Sequence, residues 1–306
     1  MAQPDLGSRY IRRARLLFDE LGDERMAVDA LDWEATAYYL TESDAALALQ
    51  LEALRRCRLL RPEAPAIETR IRGHLGAIYT ARHEWAEAIK SYEAALAARE
   101  GIRDMGRLAR MYNDLTLAYL ELGEAERALE YARKALAIHA LFRDEASIAR
   151  VENNVALALM RQGVLDRRAE DCLTRSLERC RRLGLETGRS HVLLSLGELH
   201  GRRGEFEQAD VALAEALRLA ERLGEHMTLA AGYQLLGWLR QRRDDHAGVD
   251  AAYGRALEIL SQMDVRERRA ECHVHYARAL EARGDVAAAV GQWKRAMRAV
   301  RTWTAR

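Results

Sequence analysis

Leu75-Gly76-Ala77-Ile78-Tyr79, a polar corner at Arg82-His83-Glu84, then Trp85, Ala88, Ile89, Tyr92, Ala95 and Leu96: this stretch decides the fold. Its apolar residues return every three or four positions on both sides of the corner, the spacing of one face of an α-helix. Two amphipathic helices joined by a tight turn follow. The unit is a helical hairpin.

The end of that stretch recurs along the whole chain. Ala53-Leu54, Ala95-Leu96, Ala135-Leu136, Ser176-Leu177, Ala216-Leu217, Ala256-Leu257 and Ala296-Met297 form one series, with Ala14-Arg15 as a degenerate first member. Counted from Ala14, the steps are 39, 42, 40, 41, 40, 40 and 40 residues. A fixed period of this size marks stacked supersecondary units. Composition agrees, since Ala, Leu, Arg and Glu dominate and only 3 Pro and 3 Phe occur, so helix is expected almost throughout and essentially no strand.

The corner inside each hairpin carries Gly123, Gly163, Gly204 and Gly284, with His83 and Asp244 at the same place in two other units. Glycine there ends a helix in the left-handed region without a Cβ penalty. The links between hairpins, Leu21-Gly22-Asp23-Glu24-Arg25, Leu183-Gly184-Leu185-Glu186 and Leu223-Gly224-Glu225-His226, repeat the signal. Small residues mark close helix approaches: Gly76, Thr116, Ala156, Gly197, Gly237 and Ala277 on first helices, and Ala88, Ala128, Ala169, Ala209, Val249 and Ala289 on second helices. One unit is a residue longer, and the insertion falls near Val164-Leu165-Asp166-Arg167, in its turn.

The 48 basic and 47 acidic side chains nearly cancel, which excludes the global field that drives non-specific binding to nucleic acid or anionic membranes. No apolar run is long enough to span a bilayer, and Met-Ala-Gln-Pro-Asp-Leu-Gly-Ser lacks the apolar core of a signal peptide. A soluble, cytoplasmic protein is expected. Cys57, Cys172, Cys180 and Cys272 show no Cys-x-x-Cys spacing and fall in helical patterns, so buried free thiols are expected.

Leu-Gly, Tyr three residues on, Gly four beyond that, Ala five later and Ala again: this pattern resembles the tetratricopeptide repeat, in register over six units between about residues 30 and 300. The departure is the period, near 40 instead of 34. Such long units resemble those of kinesin light chain, peptide-pheromone receptors and the sensor arrays of bacterial activators. The resemblance implies an all-α fold, a right-handed α-solenoid of about seven hairpins. The expected organisation is a single domain over 1–306, with a half-repeat or capping helix at 8–21. Repeats follow at about 30–62, 66–101, 106–143, 147–184, 187–224, 228–263 and 267–302.

In this family the first helices line the concave side and ligand contacts flank the buried Leu-Gly pair. Carried onto this sequence, those positions give a peptide- or protein-binding set of Arg70, His74, Arg110, Asn113, Asp114, Arg150, Asn153, Asn154, His191, Ser195, Trp238 and His275. Arg70, Arg110, Arg150 and His191 share one position in four successive units. Such a basic ladder suits an acidic peptide, because a guanidinium grips a carboxylate through two parallel hydrogen bonds; local ion pairing is the alternative reading. Asn113, Asn153 and Asn154 can hold a peptide backbone by donating and accepting at once, or can bond between adjacent helices. Trp33 and Trp238 fit clamps for an apolar side chain, while Trp85 reads as packing.

Chemical motifs are sparse. The chain has no Gly-rich phosphate loop, Gly-x-Ser-x-Gly elbow or His-Glu-x-x-His. In Cys272-His273-Val274-His275 the alternate residues point to different helix faces, which argues against a metal site. Neither cofactor, metal nor catalytic residue is expected. The expected function is a non-enzymatic scaffold that binds a protein or peptide segment, an acidic one by the arginines, with no membrane and no direct nucleic-acid partner. Two alternatives stay open: the effector-binding sensor array of a bacterial regulator, and a self-assembling scaffold that associates through its ends, where Trp293, Val300 and Trp303 are apolar.

Overall fold

The computed structural model describes residues 6–39, 43–97, 104–263 and 265–301. Every regular element among them is an α-helix. The helices group into two compact units, residues 1–144 and 145–306.

The first unit holds α1 (Leu6–Leu21), α2 (Glu24–Tyr38), α3 (Ser43–Cys57), α4 (Pro65–Ala81), α5 (Trp85–Ala97), α6 (Met105–Glu121) and α7 (Ala125–Leu141). Helices α2–α3, α4–α5 and α6–α7 pair as hairpins, and α1 packs on α2 in the place of a second helix. The core of the first hairpin joins Val28 and Leu31 of α2, Ala53 and Cys57 of α3, and Ile67 and Ile71 of α4. Each second helix is thus enclosed by its own first helix and that of the next hairpin.

The second unit repeats this plan four times with α8 (Glu145–Arg161), α9 (Arg167–Leu183), α10 (Glu186–Arg203), α11 (Phe206–Leu223), α12 (His226–Gln241), α13 (His246–Ser261), α14 (Arg266–Ala282) and α15 (Val286–Arg301). In both units the backbones of successive first helices approach one another. That holds for α2 with α4, α4 with α6, α8 with α10, α10 with α12, and α12 with α14. Among the described residues no comparable approach joins successive second helices. Within a unit the first helices therefore form the inner side.

Turn chemistry follows the sequence. Gly123, Gly163, Gly204 and Gly284 all have positive φ, and so do His83 (59°) and Asp244 (56°). The linking residues Gly22, Gly184 and Gly224 share the conformation, and Arg143 (53°) adds a position that no glycine announced. Helix starts are capped by Asp23, Asp104, Asp166, Asp245 and Asp285, whose carboxylates accept from backbone N–H groups two or three residues on. Each cap contributes about 1 kcal/mol. The inserted residue lies where expected, in the extended turn between α8 and α9, and it turns Leu165 onto the neighbouring core.

All twelve small-residue positions are buried, and partner size compensates for theirs. A Cβ on Gly76 would come within 2.7 Å of the Tyr92 ring, and one on Gly237 within 2.6 Å of Tyr253. Both rings are fully enclosed and cannot retreat. At Gly197, which faces Leu213 and Ala209, the nearest neighbour would be an ordinary 3.5 Å away. Gly76→Ala and Gly237→Ala should therefore each lower stability by about 1–3 kcal/mol. Gly197→Ala should be neutral or raise stability by up to about 1 kcal/mol through helix propensity. Urea unfolding of the three variants checks this; equal losses would refute the packing account.

The second unit also carries a ladder of ion pairs. Arg203, Arg243 and Arg283, each just before a left-handed corner residue, reach back to Glu170 (2.8 Å), Asp210 (2.6 Å) and Asp250 (2.9 Å) on the preceding second helix. In the first unit Arg82 reaches Asp44 in the same manner. These pairs are partly solvated and contribute no more than about 1 kcal/mol each.

Candidate functional site

In the first unit, the inner positions of α2 and α4 converge on one buried carboxylate. Asp32 of α2 is fully shielded from water. It accepts from Arg70 Nε at 2.7 Å and Gln50 Nε2 at 2.6 Å, and lies 2.8 Å from His74 Nδ1. Arg70 also bonds Asp29. Burial alone would raise the Asp32 pKa, but His74, then Gln50 and Arg70, hold the carboxyl below its ordinary value. Trp33 stands beside this group, 51% exposed, with the Arg70 guanidinium 6.0 Å and the His74 ring 6.1 Å from its ring centroid. The structure thus brings Arg70, His74 and Trp33 together, with Arg70 held by two carboxylates.

Arg110 on α6 differs. It is exposed and, among the described residues, makes no ion pair. On the same helix Asn113 is buried, and Asp114 accepts from the Tyr92 hydroxyl at 3.0 Å. Trp85 is half-buried at the start of α5, edge-on to the His83 ring at 5.1 Å.

In the second unit Arg150 of α8 is exposed, and its guanidinium donates to the Ser147 hydroxyl at 3.1 Å; no carboxylate among the described residues pairs with it. One turn on, Asn153 is half-buried with its Oδ1 shielded and without a hydrogen-bond donor. Asn154, next to it, is buried. His191 of α10 is exposed, with Nε2 3.1 Å from the Thr228 hydroxyl of α12. Ser195 is buried, and its hydroxyl donates to the His191 carbonyl. Trp238 of α12 packs on Gly201 of α10, with the Arg242 guanidinium 5.5 Å from its ring centroid. His275 of α14 is half-buried, and burial, aided by Arg278 and opposed by Glu271, lowers its pKa.

Two features escaped the sequence reading. One is Asp32 with Gln50, whose partners lie 18 to 42 residues apart. The other is the ion-pair ladder, although Glu170, Asp210 and Asp250 recur at the repeat interval and so do Arg203, Arg243 and Arg283. Those two columns were the available signal.

Chemically the inner face offers hydrogen bonds, cations and aromatic surface. The four cysteines are free. Burial pushes the Cys57 thiol up to about 11 and Cys272 to about 12, so both stay protonated at neutral pH. His273 is buried with Nδ1 2.7 Å from Gln292 Oε1, while Cys272 faces the core. Among the described residues no group of His, Cys, Asp or Glu is placed to hold a metal ion, and no helix is long and apolar enough to cross a membrane. Val300's side chain and Trp303 lie outside the described residues.

Residues 67–140 match the family described as Tetratricopeptide repeat. No curated protein matches the sequence. Solved structures with the same fold include the apo form of RapI, with a TM-score of 0.74 and 15% identity over 91% of this chain and 99% of that one. Aspartyl phosphate phosphatase F from Bacillus subtilis has a TM-score of 0.71 and 12% identity, over 93% of this chain and 74% of its own. The Rap conjugation gene regulator of plasmid pLS20, in complex with the Phr* peptide, has a TM-score of 0.66 and 14% identity, over 92% and 75%.

Proposed function

We propose that this chain of tetratricopeptide repeats is a regulatory binding module that takes a peptide, or an extended segment of a protein, along the inner face of the first helices within one of its two units. It acts by binding and not by catalysis. The observation that carries this reading is the contrast among arginines at one repeat position: Arg70 lies between two carboxylates, whereas Arg110 and Arg150 are exposed with no ion pair among the described residues. An exposed, unpaired guanidinium is ready to grip a carboxylate of a ligand. Asn153, with an acceptor lacking a donor, suits a ligand backbone N–H. Trp33 adds an exposed apolar surface for a ligand side chain.

A peptide ligand is favoured over a folded partner because the pLS20 regulator, which shares the fold, is in complex with one. The acidity of the ligand, assembly of the chain through its ends and a cytoplasmic setting belong to the proposal.

The test uses whatever segment co-purifies with the native chain, resynthesised and titrated by calorimetry. Charge reversal in the unit that holds the ligand, Arg110→Glu in the first or Arg150→Glu in the second, should weaken binding about tenfold or more, and Asn153→Ala by a few-fold where the second unit holds it. Arg70→Gln should act mainly on stability. Unchanged affinity in both arginine variants, with helicity intact, would remove the inner face as the binding surface.

A further inference from the structure

We propose that His74 sets the ligand chemistry of the first unit, its Nε2 accepting a hydrogen bond from a ligand N–H beside Trp33. Asp32 is the positioning residue that fixes which ring nitrogen carries the proton. The inference rests on the inner face of the first unit being a binding surface, and it names what the stretch between α2 and α4 selects.

Asp32 decides the tautomer. Its carboxylate is fully enclosed and held ionised, so it can only accept, and His74 Nδ1 stands 2.8 Å from its Oδ1. The neutral imidazole therefore carries its proton on Nδ1 and leaves a lone pair on Nε2. The second polar neighbour of the ring is also on the Nδ1 side: the Thr36 hydroxyl, at 3.5 Å, which is committed to the Asp32 carbonyl. Nε2 makes no hydrogen bond among the described residues, on a side chain 27% exposed.

That lone pair repels a carboxylate, and the cation of the cluster is spent, because Arg70 is bonded to both Asp29 and Asp32. Trp33, half exposed with its ring centroid 6.1 Å from that of His74, supplies apolar surface alongside. An acceptor next to an indole fits an N–H donor next to an apolar side chain, which is what a peptide backbone presents. The stretch thus takes a neutral part of the ligand, in contrast to the exposed guanidinium of Arg110.

Stacking of hairpins does not demand the pair. Counted from the small-residue column, the same two places hold Tyr112 and Asn154, Glu152 and Ser195, and Leu193 and Leu235 further along. Asp32 with His74 is the single instance in which an acid meets a histidine there.

Long-range proton–nitrogen NMR spectra of the full chain, isotope-labelled at its histidine nitrogens and held in alkaline buffer, read the tautomer of each neutral ring. His74→Gln identifies the signal. Wild type should carry the proton on Nδ1. In Asp32→Asn the amide oxygen stays with Arg70 and the amide hydrogens turn to His74, so the proton should move to Nε2 and make a donor of an acceptor. The ligand probe is N-acetyl-leucine methylamide, and its control is the same molecule with both amide nitrogens methylated. The probe should shift the His74 Nε2 resonance and bind about three- to tenfold tighter than the control, a preference that Asp32→Asn should abolish. A wild-type proton on Nε2 would overturn the role of Asp32. Equal affinity for the two molecules, or no response of His74 to either, would overturn the ligand role of His74. Both wild-type measurements stand without the variant, and neither failure alters the arginine titrations that test the inner face as a whole.

Discussion

Asp32→Ala is expected to cost the folded chain about 3–5 kcal/mol, the penalty for breaking a buried ionic network from one side. The carboxylate is fully enclosed and serves Arg70, Gln50 and His74 at once. Its removal leaves Arg70 with Asp29 and the Gln50 amide with the Ile71 carbonyl, each one charge-assisted bond poorer between α2, α3 and α4, where water reaches them poorly. Asp32→Asn keeps the shape and separates charge from volume. Because the folded pKa lies below the ordinary value, the carboxylate's contribution is complete above the unfolded pKa of about 3.9 and disappears as pH falls through the lower folded value. The stability gap between wild type and Asp32→Asn should be widest near neutrality and close in acid below about pH 4. Urea midpoints between pH 3 and pH 7 measure it; a gap independent of pH would show that the charge contributes nothing.

Ala209→Trp should be nearly as damaging, at about 3 kcal/mol, the upper end for overpacking a closed core. Ala209 has no exposed surface, and its carbonyl lies 3.5 Å from the point where Gly197 would carry a Cβ. Leu213 and Leu239 complete the enclosure, so an indole has nowhere to go without parting α10, α11 and α12. The control lies two residues away on the same helix. Val211 is 72% exposed, and Val211→Trp should change stability by no more than about 0.5 kcal/mol. Comparable losses in both variants would mean that the small-residue columns do not mark the contacts between helices.

The helical hairpins were legible because their signals are local. The corner positions of Gly123 and Gly284 name themselves by residue type, and His83 and Asp244 could be placed beside them by counting the repeat. The columns of small residues mapped onto buried contacts for the same reason. The candidate site was only partly legible. Repeat position put Arg70, Arg110 and Arg150 in one class, yet the partner that distinguishes Arg70 is Asp32, 38 residues earlier, at a position that no motif singles out. Burial separates the asparagines as well: Asn113 and Asn154 are enclosed while Asn153 is half-buried, although all three looked alike in sequence. Pairing between hairpins depends on how helices stack, and period alone does not specify that.

The ion-pair ladder of the second unit has a direction: the acid always comes from the earlier hairpin and the arginine from the later one. Repeats built this way are interchangeable parts. Excising residues 184–223 would join Leu183 to Gly224, the same dipeptide found at both original junctions, and would bring Arg243 opposite Glu170 in place of Arg203. A shortened array keeps every fastener matched. Gain or loss of a whole hairpin within the second unit thus leaves this ladder in register, although the helix that replaces α10 would bring Thr228 to Cys180 where Gly188 now leaves room.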